Sequence, residues 1–511
     1  MKQNWKLIIP TLALLALIVV ALTSAEGIQR SFADWWGALY RADQVPRQTG
    51  AQRPPAPAEG QLEDRARHWN KIAVDASGLD HTPVDSEETR VFGEQFGPLR
   101  SSRAMAIVHI AVFDAVNAIA GGYRGYTGLH HVTEVTSMDA AIALSAHDTL
   151  VALFPSQAAS FDGLLAEDLD RIREGHAKAN GIRLGQHAAA AILARRAHDG
   201  SQFPEPRVGI EFITSDDPGK WRQDPISQLP LALGAYWNRV KPFVLTSAAR
   251  FRVPPPPALV SAEYTAAFDE VQRLGGDGLV TPTARTDEQT VAAIYWAYDG
   301  TPSLCAPPRL YNQIAVTIAD QMQSNVVELT RLLALVNVAM ADAGIAVWES
   351  KYHYQFWRPV TGIRESDEGT GPTGLGDGNP DTVGDPDYTP LGAPASNLAG
   401  PNFTPPFPAY PSGHAGFGGA LFEILRSFYG TDDIAFTFVS DEFNGVTRDH
   451  DGHVRPLIPR RFSSLSQAEE DNGQSRIYLG IHWSFDKTQG IAQGKRVAGY
   501  VFRNAFVPVR D

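Results

Sequence analysis

From Arg65 onward, apolar residues return every three or four positions in long stretches, separated by Pro- and Gly-rich segments. That period puts them on one face of a helix. Ser101 to Ile119 carries the pattern, as do residues 137–154 and the Ala-rich run 157–199, which ends at Gly200. It returns over 260–274, 285–298, 308–323 and 328–357. After Pro411 it appears again, in a helix running from Ala415 through Arg426 and closed near Gly430. Alternating β-branched and polar residues, the mark of half-buried strands, are scarce. The pattern predicts an all-α fold with long Pro/Gly-rich loops.

Two segments interrupt the helices. Residues 200–257 are rich in Pro and Trp, and residues 365–411 carry repeated Gly and then a run of prolines. Irregular stretches this long inside a compact domain are usually functional. The second leads directly into Pro411-Ser412-Gly413-His414 and is expected to wall a site. No internal repeat of fixed period is present.

The N-terminus has two lysines, an apolar run from Leu7 to Leu22, then Thr23-Ser24-Ala25. This fits a secretory signal peptide over residues 1–25, cut after Ala25, and so a secreted or periplasmic protein. An uncleaved anchor is the alternative, because the run is only slightly short of a membrane span. Residues 26–62 mix Trp35, Trp36 and Tyr40 with a Pro-, Ala- and Gln-rich tail and read as a linker with room for one short helix. The catalytic domain is then expected over 63–511. No long apolar span follows residue 25, which disfavours an integral membrane enzyme.

Composition narrows the function. With 43% hydrophobic and 10% aromatic residues the chain can bury a large core. Its net charge of −13 makes it a poor general binder of nucleic acid or anionic lipid, both of which want a basic face. Any anion site must therefore be a local concentration of cations. The single Cys305 excludes an internal disulfide and a Cys-based metal cluster, and reads as a small buried apolar residue.

Three fragments carry chemistry. Lys351 and Arg358 are seven residues apart at the end of a helical run, about two turns, which predicts both on one face about 10 Å apart. Pro359 ends that helix. Ser412 sits where an N-cap belongs, so the free amides of the first turn point outward. Gly413 lets the backbone approach an anion there. In the first turn, the helix dipole disfavours charged His414, which suits a group that must exchange protons. In the third fragment, Ser475-Arg476 is followed by His482 and Asp486, four residues apart and expected on one helix face. A carboxylate on one ring nitrogen fixes the tautomer and frees the other as nucleophile or ligand. Together the fragments suit a tetrahedral oxyanion.

Lys351-x6-Arg358-Pro359, Pro411-Ser-Gly-His414 and Ser475-Arg476-x5-His482-x3-Asp486 resemble the signature of the vanadium-dependent haloperoxidase and type 2 phosphatidic acid phosphatase superfamily. Further stretches resemble the fungal vanadium chloroperoxidase branch: Trp296 to Gly300, Pro307 to Ile314, Leu391 to Asn397 and Pro405 to His414. The resemblance implies two four-helix bundles with the oxyanion site between them. It implies vanadate as cofactor, with phosphate able to occupy the same site. His482 would bond vanadium. Lys351, Arg358 and Arg476 would neutralise the oxygens, and Ser412 and the Gly413 amide would donate hydrogen bonds. His414 would be the acid–base residue, Asp299 would pair with Arg476, and Asp486 would support His482. Trp348 and Phe407 match the aromatic pair of the chloroperoxidase halide pocket; bromoperoxidases carry histidine where this chain has Phe407.

The implied reaction is oxidation of chloride or bromide by hydrogen peroxide to hypohalous acid, which halogenates a small organic acceptor. Vanadate would act as a Lewis acid, with Lys351 polarising the bound oxygen. An acid phosphatase on the same scaffold is the alternative, with His482 as nucleophile and His414 as leaving-group acid. A non-enzymatic oxyanion-binding protein would need the cations but has no use for His414 or Asp486. His109, Asp114 and Asn117 read as buried hydrogen-bonding residues. Asp367, Asp377, Asp381 and Asp385 read as solvated loop residues.

Overall fold

A computed structural model describes residues 30–46, 55–85 and 88–509. The signal-peptide or anchor segment 1–25 lies outside the described residues. In chain order the helices begin with α1 (Phe32–Trp36), α2 (Leu62–Asp80), α3 (Gly97–Ala120), α4 (Met138–Leu153), α5 (Ala158–Leu169) and α6 (His176–Arg196). After an irregular stretch come α7 (Ala262–Leu274), α8 (Asp287–Tyr295), α9 (Pro307–Gln321), α10 (Val326–Tyr354) and α11 (Pro359–Arg364). The C-terminal part holds α12 (Gly413–Tyr429), a hairpin of β1 (Phe436–Asn444) and β2 (Leu457–Phe462), then α13 (Leu465–Tyr478) and α14 (Ser484–Asn504).

The long helices sort into two groups of four. α2, α3, α4 and α6 pack on one another, and so do α10, α12, α13 and α14. α10 joins the groups by packing along α3 as well. Its start is fixed by a capping box: Asn325 accepts from the Val327 and Glu328 amides, and Glu328 accepts back from the Asn325 amide. Both α3 and α10 are long and apolar enough to cross a membrane, contrary to the sequence reading that no such span follows residue 25. Nearly all of each is buried inside the protein, so they are the core helices of the two bundles.

The sequence reading needs three further corrections. The run 157–199 is two helices: α5 ends at Leu169, and α6 starts after Gly175, its N-cap at a φ of 150°. Residues 30–46 hold the short helix expected there, α1, capped by Ser31, but they are not a free linker: Trp36 and Tyr40 are buried against Phe403, and the Arg41 amide donates to the Ala399 carbonyl. Burying those aromatic faces offsets the entropy of ordering the segment. The hairpin between α12 and α13 was not anticipated, although Phe436 and Phe438 alternate with exposed residues along β1. Among the described residues it is the only named sheet.

Glycines bring α12 and α14 together. A Cβ on Gly494 would lie 2.1 Å from the Gly416 carbonyl oxygen, so no side chain fits there. That close approach packs the first turn of α12 on the middle of α14, and the Ser412 amide, donating to the Asp486 carbonyl at 3.0 Å, joins the starts of the two helices where two of the sequence motifs meet.

Candidate active site

Lys351 lies in the last turn of α10 and is fully buried. Its Nζ donates to the Pro408 and Ala409 carbonyls at 2.7 and 2.8 Å. An ammonium has three donors, so one remains for a ligand. Arg358 is not on the same helix face two turns on, as the spacing had predicted. Gln355 turns left-handed at φ 51°, α10 ends at Tyr354, and Arg358 is the extended N-cap of α11. Pro359 forces that extended geometry. The Arg358 guanidinium reaches back to the same centre, donating to the carbonyls of Phe407 (2.9 Å), Ile481 (2.8 Å) and Pro405 (3.2 Å).

Ser412 is the N-cap of α12, with its Oγ 3.4 Å from the Ala415 amide, and its own amide donates to the Asp486 carbonyl at 3.0 Å. A Cβ on Gly413 would meet the Trp348 ring at 3.1 Å. His414 places Nε2 at 2.5 Å from the Ala297 carbonyl and 3.9 Å from Asp299 Oδ1.

His482 precedes α14 instead of riding on it; Trp483 is the N-cap and Asp486 the third helical residue. The pairing survives. His482 Nδ1 is 2.7 Å from Asp486 Oδ2, which also accepts the Trp483 amide at 3.1 Å. With Nδ1 donating to Asp486, Nε2 presents a lone pair, and Arg358 Nη1 donates to it at 2.9 Å. Arg476, on α13, donates from Nη2 to both oxygens of Asp299 at 2.8 and 2.9 Å. Its Nε and Nη1 are buried and have no protein partner.

These groups disturb one another. Burial, then the Arg358 charge, holds Lys351 well below the ordinary lysine range. Burial lowers Arg358 to about 9 against the pull of Asp486. Burial and then Arg476 hold His414 well below its usual value, while the Ala297 carbonyl opposes them. His482 is lowered by burial and by Arg358 and Lys351. Asp486 is pushed up to about 7 by burial, against the Lys351 charge. Asp299 is raised by burial, against Arg476. Three buried cationic side chains thus face two buried carboxylates, and a bound anion would relieve the imbalance. Clusters of groups perturbed this way mark functional sites.

Arg476, His482, His414 and Gly413 line the floor of a narrow cleft. Its walls are apolar: Phe96 and Pro98 from the start of α3, Pro307 from α9, Trp348 from α10, Leu233, and Pro405 to Phe407. The cleft therefore lies between the two bundles. The Trp348 and Phe407 ring centroids are 4.8 Å apart, and Lys351 Nζ lies 5.0 Å from the Phe407 ring.

The structure thus brings together every site residue that the sequence singled out. Sequence reasoning missed Leu233, the entry to α3 and the carbonyls of Ala297, Pro405, Pro408 and Ala409. A backbone carbonyl carries no residue-type signal, so no motif could have marked these. His109, Asp114 and Asn117 are indeed buried hydrogen-bonding residues, on Asn70, Thr127 and Tyr123 respectively. Asp377 corrects the solvated-loop reading: it is buried and bonded to the Asn379 amide and Thr382 hydroxyl.

The family described as VCPO second helical-bundle domain matches residues 331–510, which hold all three motifs. The vanadium chloroperoxidase of Curvularia inaequalis is 30% identical over 499 residues, covering 82% of this chain and 78% of its own. Among solved structures, the first bacterial vanadium-dependent iodoperoxidase superposes with a TM-score of 0.67 at 23% identity, covering 90% of this chain and all of its own. A holo-type bacterial vanadium-dependent chloroperoxidase gives 0.58 at 16% identity, over 82% of this chain and 94% of its own. The two bacterial structures share the helical fold.

Proposed function

The chain belongs to the vanadium haloperoxidase family, and on that premise we propose that it oxidises chloride or bromide with hydrogen peroxide to hypohalous acid. The observation that carries the reading is Arg476, a fully buried guanidinium with two nitrogens unpartnered beside buried Lys351 and Arg358. Buried donors without partners cost stability, and they persist where a ligand supplies the acceptor. A tetrahedral oxyanion fits that demand, and vanadate fits the donor set because His482 Nε2 offers a nitrogen ligand.

Arg476, Arg358 and Lys351 would hold the oxygens, together with the Ser412 hydroxyl and the Gly413 amide. Asp486 keeps His482 Nδ1 protonated, so Nε2 is the ligating nitrogen; its lone pair now accepts from Arg358 Nη1 and would pass to vanadium once that guanidinium turns to an oxygen. Bound vanadate supplies a fully oxidised Lewis acid that activates peroxide without changing oxidation state. Lys351, with two hydrogens on the Pro408 and Ala409 carbonyls, would have its third to donate to an oxygen of the bound group. His414, held neutral by burial, donates Nε2–H to the Ala297 carbonyl beside Asp299, which would leave Nδ1 to take and return a proton. Trp348 and Phe407 exclude water from the approaching halide and leave Lys351 and Arg358 as the charges beside it. The acceptor of the halogen is a small organic molecule. Residues 1–25 further support export as a secreted or periplasmic enzyme.

The test is halogenation of monochlorodimedone by purified protein, with orthovanadate added or withheld, in chloride, bromide or no halide. Hydrolysis of p-nitrophenyl phosphate is followed on the same preparation. Turnover that needs vanadate, peroxide and halide, and disappears in His482→Ala, is the expected result. Phosphate hydrolysis that vanadate only inhibits would instead make the protein an acid phosphatase with His482 as nucleophile.

A further inference from the structure

Leu233 ties the two aromatic walls of the cleft together through its own backbone. Its N–H donates at 2.9 Å to the Pro406 carbonyl, immediately before Phe407. Its C=O accepts from Trp348 Nε1 at 3.0 Å and from the Tyr352 hydroxyl at 2.9 Å. Tyr352 lies one turn beyond Trp348 on α10, so one carbonyl receives two donors from the same helix face. Gly234 follows at φ 77°, and a Cβ there would lie 2.4 Å from Trp348 Cδ1 and 2.5 Å from Leu99 Cδ1. The indole therefore packs directly on the Gly234 backbone. Glu205, buried and paired with Arg100, accepts the Gly234 N–H and so fixes the turn.

We propose that the Leu233–Gly234 turn, held by Glu205, sets the separation of Trp348 and Phe407 and thereby the halide selectivity of the enzyme. The inference rests on the haloperoxidase reading. Chloride is smaller than bromide and more strongly hydrated, so it loses more when the rings part and water enters. Side chains alone would let the pair relax, because apolar contact is non-directional. Hydrogen bonds from one residue to both walls give the gap a fixed width. Glu205, Leu233, Gly234 and Tyr352 make no hydrogen bond to the groups proposed to hold vanadate; Tyr352 feels the Arg358 charge, so orthovanadate affinity is read most cleanly in Glu205→Gln and Gly234→Ala. All four are positioning residues.

The experiment compares the full-length wild type with Gly234→Ala, Tyr352→Phe and Glu205→Gln, all loaded with orthovanadate. It measures kcat/KM for bromide over that for chloride, and orthovanadate affinity by equilibrium dialysis. The expected result is a rise in the bromide-to-chloride ratio of about threefold or more, with orthovanadate affinity within about twofold of wild type because the cations are untouched. Loss of folded protein lowers both halide activities equally and leaves the ratio alone, so the ratio reads positioning. If Gly234→Ala does not fold, Tyr352→Phe and Glu205→Gln decide. An unchanged ratio in every folded variant overturns the proposal. Wild-type protein that binds orthovanadate but oxidises no halide overturns instead the reading beneath it, a result visible before any variant is made.

Discussion

Arg476 gives only Nη2 to Asp299, at 2.8 and 2.9 Å, and leaves Nε and Nη1 of the same buried guanidinium without a protein partner. The pair is separated by 177 residues in sequence. Asp299 holds the guanidinium plane while the other edge stays open to an anion.

Asp299→Ala should therefore leave a buried charge uncompensated and cost about 3 kcal/mol or more of stability. Asp299→Asn should cost less but still weaken orthovanadate binding, because the plane is no longer fixed. Chemical denaturation and orthovanadate titration of both variants measure these effects. Equal stability of Asp299→Ala and wild type would refute the account.

Asp486→Asn should lower orthovanadate affinity by roughly 10- to 100-fold, the usual cost of losing the group behind a ligating histidine. The Trp483 amide still finds an acceptor in asparagine, so the fold should hold. Equilibrium dialysis with orthovanadate, alongside circular dichroism, separates the two effects.

Phe407→His should reduce chloride turnover more than bromide turnover. The ring faces Lys351 at 5.0 Å and Arg358 at 5.0 Å, so an imidazole there stays neutral and brings water into an apolar wall. Steady-state kinetics in each halide checks it, and an unaltered chloride kcat/KM would count against the aromatic pocket.

His109 is not among the residues that line the cleft; it is buried on α3 with its ring bonded to the Met105 carbonyl and Asn70. Burial lowers it to about 4. The folded state then binds fewer protons than the unfolded chain between pH 6.5 and 4. The stability it contributes is present above about 6.5 and falls away as the pH drops to about 4, by at most about 3 kcal/mol. Urea unfolding at pH 7 and at pH 4.5 should show a smaller stability difference in His109→Gln than in wild type.

Much of the site could be read before any fold was known, because its chemistry sits in side chains with fixed local roles. Ser412 before a helical run is a cap wherever the helix goes, and Gly430 closes that run in the left-handed conformation. His482 and Asp486 are close enough in sequence to meet in any compact local geometry, so their pairing survived although the assumed helix face was wrong. The same locality misled for Arg358: its spacing from Lys351 fitted one helix, and the left-handed Gln355 broke that helix between them.

The amino-acid sequence by itself determined the helices, the caps and the inventory of cations, histidines and carboxylates, since periodicity and side-chain chemistry act over a few residues. Tertiary structure alone decided that the Ala297 carbonyl meets His414, that Trp36 and Tyr40 pack on the body, and that the Leu233 backbone joins Trp348 to the Phe407 wall. Those relations depend on bringing distant segments together, and several run through backbone carbonyls that every residue type offers alike.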